Sequence, residues 1–294
     1  MIRRKSLFWR LVTLLLFQER ATVINRFFSL VSREDYRNQT TYELESTLKR
    51  LIDTLKPSGT TLDLIRVGGE NDGSYVIPRE FLKESTYLIS GGIELNNKFE
   101  VEVANLGVQG IQIDNSINRP PEEHPKLDFI RSTIGNQDSE TTITLTRLIE
   151  NAPKDREILL KLDIEGAEIS ALNNVSDREF NRVVCLVLEL HNLSNLKNEK
   201  FQKDLLEFLD KINKFSFISV FCQANNGCLA YNIGGTLLPD NIEISFIKAI
   251  NTTHLRRIDI ERIKRLTVKN IDKYALINID HILLQGLMDT KVVE

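Results

Sequence analysis

The stretch that decides the fold reads Leu159-Leu160-Lys161-Leu162-Asp163-Ile164-Glu165-Gly166-Ala167-Glu168. A mostly apolar run ends at an acid, and two further acids follow within five residues, with a glycine between them. Buried parallel strands have this apolar composition, and open α/β sheets bind their ligands outside the carboxyl ends of such strands. The stretch therefore predicts a core strand that brings Asp163 and Glu165 to the ligand-binding edge of a sheet.

Short apolar runs of the same kind alternate with helix-like patterns along the middle of the chain. The predicted strands cover residues 86–90, 111–113, 129–134, 158–163, 183–191, 215–221 and 242–247. The predicted helices cover residues 36–56, 99–108 and 201–212, although apolar residues that alternate between 99 and 103 leave a strand open there. Because strands that alternate with helices usually form a parallel sheet, we expect an α/β fold with a mainly parallel, seven-stranded sheet and helices on both faces.

The composition is that of an ordinary soluble globular protein. The 294 residues are 41% hydrophobic and 27% charged, with a formal net charge of −3. This balance gives no reason to expect a nucleic-acid partner. The three cysteines are scattered, which favours a reducing, cytoplasmic location. Cys222 and Cys228 have no histidine nearby in the sequence, which argues against a zinc site.

We divide the chain into an apolar and basic N-terminal arm (1–35), a main domain (36–250) and a C-terminal helical appendage (251–294). The arm imitates a signal peptide, but Arg10 interrupts its apolar stretch and no small-residue cleavage site follows. The apolar stretch itself, residues 7–17, is also too short to span a bilayer. A helix lying on a membrane surface, a packing helix and a dimer contact all stay open for the arm, and with them peripheral membrane contact and oligomer formation.

A nucleotide-like cofactor site is indicated after the first two core strands. Gly91 and Gly92 follow the first strand, and a glycine turn lets the backbone approach a ligand closely. Asp114 ends the next strand, 22 residues beyond Gly92, which is the spacing of an acid that accepts hydrogen bonds from ribose hydroxyls. The full Gly-x-Gly-x-x-Gly pattern is absent, which disfavours a pyrophosphate. A plain loop with a surface acid is the alternative.

Candidate catalytic residues lie at the ends of the fourth and fifth predicted core strands. Asp163 ends the fourth, and Glu189 and His191 end the fifth, where strand alternation places both on one face. His191 is a candidate general base with Glu189 as its orienting partner. Two alternatives stay open: the pair helps to bind a metal, or His191 only caps the strand. We assign no metal ligand from the sequence.

Two polar loops flank the core. Asn71-Asp72-Gly73 lies between β-prone segments within residues 64–78, and its turn chemistry favours a hairpin. Asn225-Asn226-Gly227 follows the sixth predicted strand. Its asparagine amides can bind sugar hydroxyls, and a simple turn is equally compatible with the Asn-Gly pair.

The stretch from Lys161 to Glu168 resembles the signature of the FkbM-type methyltransferases, in which a strand ends in a lysine, an apolar residue, an acid and a Glu-Gly-Ala-Glu or similar turn. The Asn-Asp-Gly loop, the Glu-x-His ending and the paired asparagines resemble the same family, although Ser74 replaces a glycine of the family's loop. The resemblance covers roughly residues 64–247.

The resemblance implies a Rossmann-like class I methyltransferase fold and an S-adenosylmethionine-dependent O-methyltransferase that acts on a hydroxyl of a glycan or a similar small polar acceptor. It implies cofactor contacts from Gly91, Gly92, Asp114, Asp72 and Asp163, catalysis by Asp163, Glu189 and His191, and substrate contacts from Asn225, Asn226 and Glu165. The alternatives are a catalytically inactive methyltransferase-like scaffold and an enzyme that binds NAD or a nucleotide sugar.

Overall fold

The structure is a computed structural model, and it describes residues 42–249, 255–256, 259–271, 276–277 and 279. The expected N-terminal arm at 1–35 lies outside the described residues, together with its alternatives as a membrane-surface, packing or dimer helix. The start of the predicted helix at 36–56 and much of the expected appendage also lie outside them. None of the described helices has the length and apolar character that crossing a bilayer requires.

The described residues form both strands and helices, and several strands follow one another without a helix between them. The strands are β1 (Gly59–Thr60), β2 (Leu64–Val67), β3 (Tyr75–Pro78), β4 (Thr86–Gly91), β5 (Gln109–Ile113), β6 (Leu127–Ile130), β7 (Thr133–Gly135), β8 (Thr142–Thr144), β9 (Glu157–Leu162), β10 (Val183–Leu190), β11 (Phe217–Ala224), β12 (Ala230–Ile233), β13 (Thr236–Pro239), β14 (Ile242–Lys248) and β15 (Leu255–Arg256). The α-helices are α1 (Tyr42–Leu55), α2 (Lys98–Asn105), α3 (Leu145–Asn151), α4 (Glu168–Asn173), α5 (Asp177–Phe180), α6 (Glu199–Lys214) and α7 (Ile260–Leu266).

Seven strands form the main sheet in the order β11-β14-β10-β9-β4-β5-β6. The neighbouring pairs from β10 to β6 are parallel, whereas β14 is antiparallel to both β10 and β11. The expectation of a mainly parallel sheet is therefore corrected: the α/β sheet has seven strands but is mixed. The reason is the connection from β11 to β14, which contains the β12–β13 hairpin and lacks the crossover helix that usually returns a strand in parallel.

Strand β4 lies at the point where the winding of the sheet changes direction. From β4 the chain continues to β5 and β6 on one side, and then returns to β9 and β10 on the other. The strand order therefore reverses between β4 and β9. Open α/β sheets bind ligands at the carboxyl ends of the strands that flank such a reversal. The residues that directly follow these two strands are Gly92 and Asp163.

Most predicted elements are confirmed, with shifts at their ends. Every residue of β10 is buried, including Glu189, in a strand otherwise made of Val, Leu and Cys. Residues Lys98–Asn105 form a helix, so the strand alternative in that segment is excluded. The predicted strand at 129–134 is wrong as a single element, because β6 pairs with β5 while β7 pairs with β8 in a separate small sheet.

The predicted hairpin within residues 64–78 is confirmed, since β2 and β3 pair in antiparallel fashion. The described part of the C-terminal segment packs against it. Arg66 Nε donates to the carbonyl oxygen of Leu266 at 2.8 Å, and Asn270 Nδ2 donates to Asp72 Oδ1 at 3.0 Å. Residues 259–271 therefore lie beside the hairpin loop, next to the carboxyl edge of the main sheet.

Candidate active site

A cavity of about 390 Å³ opens at the carboxyl ends of β4, β9 and β10. Its volume lies within the range of small-molecule sites. Four stretches of the chain build its wall: the hairpin loop, the core strand ends, the loops around the β12–β13 hairpin and the C-terminal segment. The lining residues that the following paragraphs use are Asp72, Gly92, Glu94, Lys161, Asp163, Glu165, Glu189, His191, Asn225, Asn241, Asn270 and Ile271.

The turn after β4 brings the backbone close to the end of β9. Gly92 has a φ of +77°, and a Cβ atom at this position would lie 1.6 Å from the carbonyl oxygen of Asp163. Both the backbone conformation and the lack of space therefore require glycine. Gly92 lines the cavity, whereas Gly91 is the buried last residue of β4 and does not.

Asp114 follows β5 and is buried. Its Oδ2 accepts hydrogen bonds from the backbone N–H groups of Ile93 and Glu94 at 2.9 and 2.8 Å. Its Oδ1 accepts from the backbone N–H and the hydroxyl of Ser116 at 2.7 and 2.6 Å. Burial raises the pKa of this carboxyl, but the hydrogen bonds outweigh burial, and the pKa is lowered. Asp114 thus fixes the loop after Gly92, and it is not among the residues that line the cavity.

Asp163 directly follows β9, and its carboxylate reaches the cavity. Its Oδ2 accepts a hydrogen bond of 2.6 Å from the hydroxyl of Tyr75. Burial raises the pKa of Tyr75 well above its ordinary value, so its hydroxyl remains a donor. The buried Lys161 lies 3.9 Å from the same Asp163 oxygen, 3.8 Å from Oε1 of Glu100, and donates to the carbonyl of Gly92. These contacts hold the Asp163 carboxylate in one orientation.

His191 directly follows β10 and is oriented through its Nδ1. This nitrogen lies 3.0 Å from Oε1 of Glu168, which also accepts from the backbone N–H groups of Ile164 and Gly166 at 2.9 and 3.0 Å. The sequence interpretation that gave the orienting role to Glu189 is therefore corrected. Glu168 performs it, because its carboxylate satisfies the tight turn after β9 and reaches the imidazole at the same time.

The other ring nitrogen of His191 faces a group of acids. Nε2 lies 3.7 Å from Oδ1 of Asp163, 3.6 Å from Oε1 of Glu189 and 3.7 Å from Oε2 of Glu165. All of these distances exceed a hydrogen bond. Glu165 has a φ of +56° and an exposed side chain, so it lies at the mouth of the cavity.

Glu189 is held by two side-chain amides. Its Oε1 accepts from Nδ2 of Asn225 at 2.8 Å and from Nδ2 of Asn241 at 3.2 Å. Asn225 lines the cavity, as expected for a substrate contact. Asn226 is buried instead, and its amide bonds the backbone N–H and carbonyl of Ile271 at 2.9 Å each, so it anchors the C-terminal segment.

Negative charge predominates in the cavity. The ionisable lining residues are Asp72, Glu94, Asp163, Glu165 and Glu189 on the acidic side, and Lys161 and His191 on the basic side. Burial, followed by the charge of Asp163, raises the pKa of Glu189. Burial lowers the pKa of His191, but the hydrogen bond and the charge of Glu168 outweigh burial and raise it. The surroundings therefore disfavour an anionic ligand and suit a cationic one.

The cavity brings together most of the site residues predicted from the sequence. Those that line it are Asp72, Gly92, Asp163, Glu165, Glu189, His191 and Asn225, whereas Gly91, Asp114 and Asn226 do not. Sequence reasoning missed the roles of Tyr75, Glu168, Asn241 and Asn270. Glu168 stands inside the quoted stretch, but there it indicates only the start of α4. Tyr75 directly follows the Asn-Asp-Gly-Ser loop, while Asn241 and Asn270 carry no local signal.

Comparison with known families identifies the core of the chain. Residues 79–219 match the model of the family described as Methyltransferase FkbM domain. The match contains Gly92, Asp163 and His191, and it confirms the family recognised from the Lys161–Glu168 signature. It indicates a methyltransferase. A comparison with curated proteins gives no match.

Proposed function

Starting from the match of residues 79–219 to the FkbM methyltransferase domain, we propose that this protein is an S-adenosylmethionine-dependent O-methyltransferase. Its acceptor is a hydroxyl of a glycan or a similar small polar molecule, and its core is a Rossmann-like class I methyltransferase fold. One observation carries the proposal. At the reversal of the strand order, the backbone of Gly92 lies against Asp163, at the edge of a cavity rich in carboxylates.

The charge of the cavity supports this cofactor over a dinucleotide. S-adenosylmethionine carries a sulfonium cation and no phosphate. Acidic side chains outnumber basic ones along the cavity wall, so the wall attracts such a cation, whereas it would repel a pyrophosphate. The loop at 91–94 also lacks the third glycine that dinucleotide sites use against the pyrophosphate. Both the electrostatics and the loop therefore favour the methyl donor.

Two parts of the chain are suited to hold the cofactor. Gly92 keeps the floor of the cavity free of a side chain. Asp114 shapes the adjoining loop, because it accepts hydrogen bonds from the backbone N–H groups of Ile93 and Glu94. S-adenosylmethionine, when bound, supplies an electrophilic methyl group.

The acceptor side of the proposed reaction falls to the carboxylate and imidazole cluster. Transfer to an alcohol requires that its hydroxyl be positioned and its proton removed. Asp163, Glu189 and His191 converge on one point from two strand ends, within reach of a hydroxyl bound among them. Asn225 at the wall and Glu165 at the mouth are placed to contact the rest of a polar acceptor.

Calorimetry tests the cofactor, and transfer of a labelled methyl group to a glycan extract tests the reaction. We expect S-adenosylmethionine and S-adenosylhomocysteine to bind and NAD not to bind. Replacement of Asp163 by Asn should reduce methyl transfer by about 10²-fold or more, because it removes a group that acts on the acceptor proton. The matched control is Asp155→Asn, an exposed acid before β9 at the opposite edge of the sheet.

Each other outcome has a defined meaning. Binding of NAD without binding of the methyl donor would assign the cavity to a dinucleotide enzyme. Donor binding without transfer to any glycan in the panel would favour a scaffold that has lost catalysis. An Asp163→Asn variant as active as Asp155→Asn would remove Asp163 from the catalytic group.

A further inference from the structure

Asp163, Glu189 and His191 form a cluster with the side-chain composition of a metal site. One ligand atom each from Asp163, Glu189 and His191 lies within 4.8 Å of the other two. His191 is only 6% exposed, and its Nε2 points at carboxylate oxygens that lie beyond hydrogen-bond distance. A buried ring nitrogen that faces several carboxylates, without a hydrogen bond to any of them, has the geometry of one ligand in a shared cation site.

The surroundings of the three side chains carry the argument further. Metal-binding histidines almost always donate their other ring nitrogen to a carboxylate or carbonyl, which fixes the ring and frees the ligating nitrogen. His191 has this arrangement, since Nδ1 lies 3.0 Å from both Oε1 of Glu168 and the carbonyl oxygen of Glu189. These two contacts of Nδ1 thus orient the ring of His191 so that Nε2 faces Asp163 and Glu189.

The two acids are oriented by donors outside the cluster. The hydroxyl of Tyr75 holds Oδ2 of Asp163 and leaves Oδ1 facing His191. The amides of Asn225 and Asn241 hold Glu189. Such outer contacts preorganise ligands for a metal ion, because no rearrangement is needed when the ion binds.

We propose that Asp163, Glu189 and His191 bind one divalent cation of the Mn²⁺ or Mg²⁺ type. Carboxylates suit Mg²⁺ and Mn²⁺, and a single imidazole among them is compatible with Mn²⁺ in particular. Only three protein ligands leave coordination positions open for water or acceptor oxygens. A second acidic group, Asp72 with Glu189 and Glu243, offers no imidazole.

The role of the ion rests on the proposed methyl transfer, although its binding does not. A cation at this point would bind the acceptor hydroxyl and increase its acidity, as metal ions do with bound water, and the proton would leave to solvent at the exposed mouth. The ion would also require an acceptor with two neighbouring oxygens to fill adjacent open positions. Vicinal diols of sugars meet this requirement.

Electron paramagnetic resonance of added Mn²⁺ tests the binding directly, in the full chain without any methyl donor. We expect one bound Mn²⁺ per chain, and an affinity at least about tenfold weaker in Glu189→Gln and in His191→Gln. Asp155→Asn at the opposite edge of the sheet should bind Mn²⁺ as the wild type does. Circular dichroism of each variant checks that the fold is kept.

Two results would overturn the inference: no Mn²⁺ binding by the folded wild-type chain, or binding that both cluster variants leave unchanged. Donor binding is measured separately in the presence of EDTA. If the wild-type chain binds no Mn²⁺, and donor binding and methyl transfer persist in EDTA, the metal site is rejected and the proposed function stands. Mn²⁺ binding without donor binding would reject the function while leaving the metal site intact.

Discussion

At the scale of single residues, Gly92 is a position in the cavity wall that tolerates no side chain. Its φ of +77° and its contact with the Asp163 carbonyl leave no room for any side chain. The tight approach is also what joins the ends of β4 and β9 into one wall. A change at this position therefore affects the geometry of both strand ends, which no change to a single lining side chain does.

We expect Gly92→Ala to abolish donor binding and to lower stability by more than the roughly 1–2 kcal/mol that a positive φ costs a non-glycine residue. The matched control is Gly69→Ala, where φ is +102° but nothing lies within 4 Å of the added carbon. The control bears a backbone penalty without a clash, so it should keep donor binding. Urea unfolding and calorimetry give the two readouts. Equal stability losses in both variants would contradict the clash.

A second residue-scale prediction concerns Asp114 and pH. Its folded pKa is lowered, so its stabilising contribution is complete above its ordinary pKa and is lost as the pH falls through the folded value. We expect Asp114→Asn to lose about 1–3 kcal/mol at pH 7, because an amide N–H would face the backbone donors. The difference from wild type should shrink below about pH 4, because the carboxyl then protonates first in the unfolded chain and, at still lower pH, in the folded protein.

Urea unfolding at neutral and acid pH checks this prediction for Asp114. The exposed Asp53→Asn on α1 is the control and should match the wild type at both pH values. A loss in Asp114→Asn that stays constant down to acid pH would show that the carboxylate charge is not the cause.

At the scale of elements, the β2–β3 hairpin is attached to the main sheet through the site itself. Tyr75 at the start of β3 packs edge-on against Phe99, with 5.4 Å between ring centroids, and its hydroxyl reaches Asp163. The hairpin thus contributes a donor to a carboxylate that belongs to β9. Its loop also supplies Asp72 to the cavity wall.

We expect Tyr75→Phe to leave the hairpin packed and to reduce methyl transfer by about tenfold, since the hydrogen bond to the charged Asp163 is of the order of 1.5–3 kcal/mol. Stability should fall less, because Asp163 is 22% exposed and water can replace the lost donor. Tyr87→Phe, at the amino end of β4, is the control. The check is steady-state kinetics beside thermal unfolding, and a loss confined to stability would make Tyr75 purely structural.

The local pattern of apolar residues in the sequence predicts most strands and helices. The predictions that failed depend on contacts between residues far apart in the chain. The ends of β4, β9 and β10 could be predicted because each apolar run stops at a glycine or a polar side chain. The antiparallel orientation of β14 could not be predicted from its own residues, because an apolar run is compatible with a parallel or an antiparallel strand. Its orientation follows from the lack of a crossover helix between β11 and β14. The turn residues between β11 and β14 were the available signal.

The same limit applies to the site. Asp163 and His191 could be predicted because each directly follows a recognisable strand. The pairing of His191 with Glu168 and the amides on Glu189 could not, because they join residues that are distant in sequence and depend on how the strands align. Asn270 was beyond reach for a further reason: its segment has no strong periodicity of its own.

At the scale of the whole molecule, the cavity is assembled from segments that are far apart in the chain. The hairpin loop, the core strand ends and the segment at 259–271 meet only in the folded state. A ligand that contacts all of them therefore binds the native state and not the unfolded chain. Ligand binding should then stabilise the molecule by mass action.

We expect S-adenosylhomocysteine at 100 times its dissociation constant to add about 2.7 kcal/mol to the free energy of unfolding. For a chain of this size, each kcal/mol raises the melting temperature by roughly 2–4 °C. Differential scanning fluorimetry measures the shift, with adenosine and NAD as comparison ligands. A shift produced by NAD and not by S-adenosylhomocysteine would contradict the proposed cofactor.

The residues of the cavity wall come from two different parts of the sequence. Gly92, Asp163 and His191 come from the region that matches the family model, whereas Asp72, Asn225, Asn241 and Asn270 come from outside it. The wall of the cavity is thus encoded partly inside and partly outside the stretch that matches the family model. Under the proposed function, exchanging the flanking stretches between relatives should therefore change which acceptor is methylated, while Gly92, Asp163 and His191 keep their roles.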